Sequence, residues 1–150
     1  MDPVYGEPVA AFYSGPDYGI KIRRLVGGED FTNPDLWTSE IVRDERYDEG
    51  QYVSLAFSPD GDPALAYFRC KLYDGMNDVC NPNDEAVVFA VNQRGSWKRE
   101  VVRSGDGMEC GMYPTLKFTA DGIANIAFQC VVVSSGDFDF ALFLATKKIF

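Results

Sequence analysis

The sequence contains no histidine, and this absence removes several kinds of active site. Its 150 residues include 23 Asp and Glu, 14 Lys and Arg, and no His. Histidine is the commonest general base near neutral pH and the commonest metal ligand. Ser-His-Asp, Cys-His and zinc-hydrolase chemistries all need a residue that this chain does not have. We therefore expect a protein that is not an enzyme.

The chain is also poor in basic residues and in long apolar runs. A formal net charge of -9 repels phosphate backbones, so we expect no nucleic-acid partner. No apolar run approaches the roughly 20 residues that cross a bilayer, so we expect no membrane span. The opening residues, MDPVYGEP, have neither a basic nor an apolar segment and do not resemble a signal peptide. Either a leader has been removed or the chain is part of a longer protein.

What the sequence does contain is an internal repeat of about 60 residues. The segment 50–67, GQYVSLAFSPDGDPALAY, aligns without a gap with the segment 111–128, GMYPTLKFTADGIANIAF. Three further pairs of segments agree in the same way: WTSEIV from Trp37 with WKREVV from Trp97, PVAAF from Pro8 with PALAY from Pro63, and DEAVVFAV from Asp84 with DFDFALFLA near Asp137. This agreement predicts a repeated structural unit.

Each unit has the pattern of four short β-strands, with apolar residues that alternate or form short buried runs. Asp60-Gly61 and Asp121-Gly122 follow the first strand of their units. Asp-Gly is a strong hairpin signal because glycine adopts positive φ at little cost. No stretch shows a sustained helical period with capping residues. The sequence therefore predicts an all-β fold.

At these residues the chain resembles the blade repeats of bacterial secreted β-propellers. That pattern has a Gly-x-Tyr-x-Ser-Leu opening, an Asp-Gly-x-Pro hairpin and a Trp-x-x-Glu-x-Val outer strand. The resemblance covers nearly the whole chain and implies a β-propeller-like repeat of about two and a half four-stranded antiparallel blades. The implied division is a partial blade at 1–46 (strands 2–4), a complete blade at 47–106 and a partial blade at 107–150 (strands 1–3).

Unfinished blades predict pairing at their open strand edges. Closed propellers have four to eight blades, so this number of strands does not close one. The expected partners are therefore further copies of the chain, which complete one another as a ring or fibre, or flanking blades of a longer propeller. An open stack that stands alone is a third possibility.

The four cysteines occur without CxxC spacing, which favours disulfides over metal binding and an extracellular or periplasmic location. The repeat aligns Cys110 with Glu49 and Cys130 with Arg69. One unit thus carries an opposite-charge pair where the next carries two cysteines. If these positions are neighbours across the first hairpin, both observations have one cause, and we predict a Cys110–Cys130 disulfide.

The remaining cysteines, Cys70 and Cys80, flank KLYDGMNDV and would staple that loop. The alternative for all four cysteines is a set of reduced, buried thiols. In this loop and the residues that follow it, oxygen-bearing side chains are candidate calcium ligands, and no other cofactor is expected. These candidates are Asp78, Asn83, Asp84 and Glu85. Their spacing is not that of a known calcium loop, and the same residue types are typical of solvated turns.

Aromatic residues divide into those that recur in the repeat and those that do not. Trp37 and Trp97 recur, as do Tyr52 and Tyr113, and recurring aromatics predict packing between units, with a sugar-stacking platform as the alternative. Four tyrosines recur at no fixed phase, fall in predicted loops and are the candidate ligand contacts: Tyr13, Tyr18, Tyr47 and Tyr73.

The functional hypothesis is a non-enzymatic extracellular structural or binding module that assembles through open strand edges or belongs to a larger propeller. A lectin-like propeller that binds a glycan is the alternative. A carbohydrate-active enzyme with carboxylates at the propeller mouth is a further one. Adjacent acids such as Asp44 and Glu45 point to opposite faces of a strand, so surface charge explains them.

Overall fold

The fold is described from a computed structural model for residues 1–28, 30–71, 84–105, 108–134 and 137–148. Strands dominate this part of the chain, which contains two one-turn 3₁₀ helices, Gly15–Asp17 and Pro34–Leu36, and no α-helix. The strands are β1 Val9–Ser14, β2 Gly19–Leu25, β3 Trp37–Val42, β4 Tyr47–Phe57, β5 Pro63–Lys71, β6 Ala86–Gln93, β7 Ser96–Ser104, β8 Glu109–Phe118, β9 Ile123–Ser134 and β10 Asp137–Lys148. The all-β prediction is confirmed.

The strands form three antiparallel sheets in which neighbours are consecutive in the chain. The N-terminal sheet has the order β1-β2-β3, the central sheet β4-β5-β6-β7 and the C-terminal sheet β8-β9-β10. Short turns join most of the strands, including Asp60-Gly61 and Asp121-Gly122 at the predicted hairpins. Each sheet is therefore a meander built from a continuous stretch of sequence.

The central sheet is buried on both faces because it lies between the other two. On one face, Leu65 and Tyr67 of β5 pack with Ile20 and Ile22 of the N-terminal sheet. On the other face, the alternate β5 residues pack against the C-terminal sheet. This second core contains Ala64, Ala66, Val87, Phe89, Cys110, Leu116, Ile126 and Phe128. Successive side chains of a strand point to opposite faces, so one apolar strand supplies both cores.

The three sheets are stacked in one direction and do not close into a ring within the described ranges. None of the helices described here has the length and apolar character needed to span a bilayer.

The strand register explains the relation between the cysteines and the charged pair. Glu49 lies opposite Arg69 in the central sheet, and Cys110 lies opposite Cys130 in the C-terminal sheet. Cys110 and Cys130 form a disulfide, as the repeat predicts. Cys70 is not a free thiol either, and its predicted partner Cys80 lies outside the described residues.

The charged residues at the equivalent positions are neighbours, but their closest partners lie elsewhere. The Glu49 carboxylate accepts a hydrogen bond from Arg99 at 3.0 Å and one from the backbone N–H of Asp44 at 2.8 Å. Arg69 instead places its guanidinium 4.2 Å from the centre of the Tyr47 ring. Glu49 is buried, and its ion pair with Arg99 joins β4 to β7 across the central sheet.

Candidate functional site

The sheets contact one another through a bulge that occurs twice. In β4 the register shifts around Gln51, and in β8 it shifts in the same way around Met112. Gly50 and Gly111 have φ values of 107° and 105° at these bulges. An L-residue rarely adopts this conformation, so the glycines of the Gly-x-Tyr motif are required by the backbone.

Each bulge glycine also touches the preceding sheet. A Cβ on Gly50 would lie 2.3 Å from Cγ1 of Ile20, and one on Gly111 would lie 2.8 Å from the backbone nitrogen of Val87. Both distances are too short for a side chain. The tyrosines two residues after the glycines, Tyr52 and Tyr113, have ring centres 4.4 Å apart. Gly50 and Gly111 therefore touch equivalent positions of the preceding sheets, whereas Tyr52 and Tyr113 contact each other.

Strand register shows which residue of the C-terminal sheet is equivalent to Ile20 and Val87, the residues that the bulge glycines touch. Ile20 lies opposite Tyr13, Val87 opposite Phe68 and Leu142 opposite Gln129, and the repeat aligns these three opposing residues. Ile20 and Val87 are 0% exposed, whereas Leu142 is 81% exposed. The positions two residues further along these strands show the same difference in exposure. Ile22 and Phe89 are buried, and Leu144 is 70% exposed. The C-terminal sheet thus presents to solvent a face that its two counterparts bury.

This surface, here called the C-terminal face, is an apolar strip along β10. Its most exposed side chains are Phe138, Phe140, Leu142 and Leu144. Their alternation with Asp139, Ala141 and Phe143 puts them on one side of the strand. β10 is also an edge strand. A contiguous apolar surface beside a free strand edge is a common site of protein association.

The opposite end of the stack, here called the N-terminal face, consists of Ala10, Phe12, Lys21 and Arg23. The repeat aligns Phe12 with Tyr67, which is 0% exposed, and with Phe128, which is 2% exposed, whereas Phe12 is 41% exposed. Lys21 and Arg23 lie opposite Phe12 and Ala10. The central sheet has Val88 and Ala90 at their positions. This face is therefore more polar than its buried counterparts.

The tyrosines predicted as ligand contacts differ in their surroundings, although Tyr13 and Tyr18 both contact the start of β4. Tyr13 lies in β1, where burial and a hydrogen bond with Asp48 raise its pKa to about 12. Tyr18 ends the first 3₁₀ turn with a left-handed backbone and is exposed. Tyr47 begins β4 and is stacked under Arg46 and Arg69. Tyr13 and Tyr47 therefore belong to strands and not to loops, and Tyr73 lies outside the described residues.

Two grooves flank the β6–β7 turn, which is formed by Arg94 and Gly95. A groove of about 780 Å³ lies between the central and C-terminal sheets and includes Asp62, Lys98 and Asp121. A second groove of about 490 Å³ lies between the N-terminal and central sheets. Trp97 is half-buried in its wall and donates its indole N–H to Glu40 at 2.6 Å. The second groove therefore combines an aromatic wall with polar side chains.

The predicted calcium ligands fall partly outside the described residues, as Asp78 and Asn83 do. Glu85 is buried, and its Oε2 atom has no hydrogen-bond partner. Burial and the nearby Glu109 carboxylate raise the pKa of Glu85 to about 7, although the backbone N–H of Cys110 opposes this rise. Among the described residues, no three acidic or sulfur-bearing side chains converge as metal ligands would.

The residues of the C-terminal face were not singled out by sequence reasoning, although the signal was available. DFDFALFLA begins with Asp and Phe in alternation, as a half-exposed strand does, but every residue from Phe140 to Ala145 is apolar. Such a strand is expected to be buried on both sides. In the structure only one side of it is covered.

Neither a protein-family model, nor a curated protein, nor a solved structure matches this chain.

Proposed function

We propose that this chain is a non-enzymatic structural module of an extracellular or periplasmic β-propeller-like array. Its function in this proposal is assembly, in which its open sheet faces and strand edges receive further β-sheets of the same repeat. The division into sheets of three, four and three strands supports this proposal, because the resemblance implies a partial, a complete and a partial blade. The absence of histidine from the sequence supports a role other than catalysis.

One observation carries the proposal. The same position is buried in the N-terminal and central sheets, at Ile20 and Val87, and exposed in the C-terminal sheet, at Leu142. A buried leucine contributes about 1.5–3 kcal/mol more to stability than an exposed one, so leaving a row of such side chains in water forfeits several kcal/mol. A further sheet that packs on this face recovers that energy.

The disulfide and the strand edge support the same proposal. Disulfides such as Cys110–Cys130 are typical of secreted and periplasmic proteins. β10 has 12 residues and no partner on its outer side within the described sheet. An exposed edge of this length is a ready template for another strand unless it is protected. Assembly in an oxidising compartment is consistent with both features.

The native mass of the full chain tests the proposal. We expect light scattering to give a multiple of 16.7 kDa and micrographs of the same sample to show rings or filaments. Reductant should lower the stability of each copy without abolishing the contact, because the disulfide lies inside one sheet. A mass of one chain at every concentration would overturn the proposal.

Glycan binding is a second candidate, favoured by the groove at Trp97. Sugars bind where an aromatic ring offers an apolar wall beside polar side chains, and this groove also contains Arg24, Asn92 and Glu40. Trp37 provides a matched control because it holds the equivalent place in the preceding repeat, with its indole N–H donated to Phe31.

A glycan array with the two tryptophan variants tests this candidate. We expect Trp97→Ala to lose binding and Trp37→Ala to keep it. A panel of chromogenic glycosides should show no turnover. Equal binding by both variants, or no binding by the native chain, would remove the groove as a glycan site.

A further inference from the structure

We propose that the C-terminal face binds the N-terminal face of a second copy of this chain, in a head-to-tail contact. This inference rests on the proposed assembly function and specifies its partner and its geometry. The C-terminal face is the surface of Phe138, Phe140, Leu142 and Leu144, and the N-terminal face is that of Ala10, Phe12, Lys21 and Arg23.

The chain contains two interfaces between sheets. In each, a sheet turns one kind of face toward the sheet that follows it, with Ile20 and Ile22 in the first case and Val87 and Phe89 in the second. The following sheet contributes the other kind of face. That face contains Leu65 and Tyr67 in the first interface and Ile126 and Phe128 in the second. Both interfaces therefore join the same two kinds of surface.

The two ends of the stack present one surface of each kind. Leu142 and Leu144 occupy the positions of Val87 and Phe89. Ala10 and Phe12 occupy the positions of Leu65 and Tyr67, as the alignment of PVAAF with PALAY shows. A second copy placed after the first in the same orientation repeats an interface that the chain already contains twice. For this reason the expected partner of the C-terminal face is a second copy of the chain.

The chemistry of the N-terminal face predicts a contact weaker than the internal ones. Lys21 and Arg23 replace Val88 and Ala90, so less apolar area is buried. The N-terminal sheet also has no strand at the place of β4 and β8, which carry the bulge glycines. Assembly should therefore depend on protein concentration.

The cationic side chains nevertheless suit an aromatic surface. Arg23 has a buried Nε with no hydrogen-bond partner, and the facing surface offers the phenyl rings of Phe138 and Phe140. A guanidinium over a phenyl ring is a favourable contact. The chain already contains such a contact between its central and C-terminal sheets, where the Arg103 guanidinium lies 4.7 Å from the centre of the Phe143 ring.

The contact is heterologous, because different surfaces of the two copies meet. Such contacts continue into a filament or close into a ring, whereas a symmetric contact stops at a dimer. This difference gives the inference its test. If the C-terminal face paired with itself, mutating the N-terminal face would change nothing.

The experiment uses the full chain with one charge introduced on each face. Leu144→Glu alters the C-terminal face, and Phe12→Glu alters the N-terminal face. Val101→Glu is the control, since Val101 is exposed on β7 of the central sheet and belongs to neither face. Circular dichroism and thermal melting verify the folding of each variant. Leu142→Lys replaces Leu144→Glu if that variant does not fold.

Native mass should fall to one chain, 16.7 kDa, for either face variant alone and should stay multiple for the control. An equimolar mixture of the two face variants should form a dimer and stop there, because one copy supplies only an intact N-terminal face and the other only an intact C-terminal face.

Other results would overturn the inference in distinguishable ways. Assembly that survives Phe12→Glu but not Leu144→Glu shows symmetric pairing of the C-terminal face, which leaves the assembly function standing. Assembly that survives both variants places the contact elsewhere. A native chain that is monomeric throughout removes the inference and the assembly function together.

Discussion

The two interfaces of the central sheet hold equivalent positions with different chemistry. Toward the N-terminal sheet, Glu49 is buried with Arg99 at 3.0 Å and the Tyr67 hydroxyl at 3.4 Å. Toward the C-terminal sheet, the position of Glu49 is taken by Cys110, which is bonded to Cys130. An ion pair stabilises the folded state only while both charges are present, whereas a disulfide acts mainly by restricting the unfolded chain. Equivalent positions in β4 and β8 are therefore stabilised in two different ways, by an ion pair and by a disulfide.

The largest effect is expected from removing the partner of Glu49. Arg99→Met leaves a carboxylate buried without its counter-ion, which costs about 3–5 kcal/mol. Urea unfolding measures the loss. Arg94→Met, at the exposed β6–β7 turn, is the control and should change stability little. Adding Glu49→Gln to Arg99→Met should restore much of the stability, and a failure to do so would contradict the ion-pair explanation.

Removing the disulfide should cost less, about 3 kcal/mol for a loop of this size, with a sequence separation of 20. The double variant Cys110→Ala/Cys130→Ala is preferable to a reductant because Cys70 is also disulfide-bonded. Urea unfolding again gives the change. A loss well below 1 kcal/mol would mean that packing alone holds β8 against β9.

Variants of the two bulge glycines test the backbone at the same two interfaces. Gly50→Ala and Gly111→Ala should each cost about 2 kcal/mol, since both have positive φ. The Gly50 variant clashes with the Ile20 side chain, so adding Ile20→Ala should recover part of the loss. The Gly111 variant clashes with the backbone of Ala86 and Val87, so adding Val87→Ala should recover none. Equal rescue in both pairs would show that the two bulges do not differ in this way.

Glu85 differs from the paired Glu49 because its Oε2 atom has no hydrogen-bond partner, and it makes the stability depend on pH. The pKa of Glu85 in the folded protein, about 7, lies above the ordinary glutamate value of 4.5, so the folded state binds the proton more tightly. This contribution to stability is complete below pH 4.5 and disappears as the pH rises through 7, with a slope of at most about 1.4 kcal/mol per pH unit. Glu85→Gln should flatten that part of the profile. Urea midpoints near pH 5 and near pH 8 measure the difference, and parallel profiles would refute it.

Much of the fold was accessible from the sequence because it depends on local patterns. Alternating apolar residues and Asp-Gly turns predict strands and hairpins, and the alignment of segment 50–67 with segment 111–128 predicts that Cys110 and Cys130 are neighbours. The partner of Glu49 was not accessible. The alignment suggests Arg69, whose Cα lies opposite that of Glu49. The Cα position does not determine the direction of a long side chain, however, and the Arg69 guanidinium lies over the Tyr47 ring.

By itself, the amino-acid sequence determined that the chain forms antiparallel strands and which two cysteines meet in one sheet. Only the tertiary structure decided which apolar faces are buried. Val87 and Phe89 resemble Leu142 and Leu144 in character, yet the first pair is buried and the second is exposed. The physical reason is that burial depends on the presence of a neighbouring sheet, which no residue within the strand encodes.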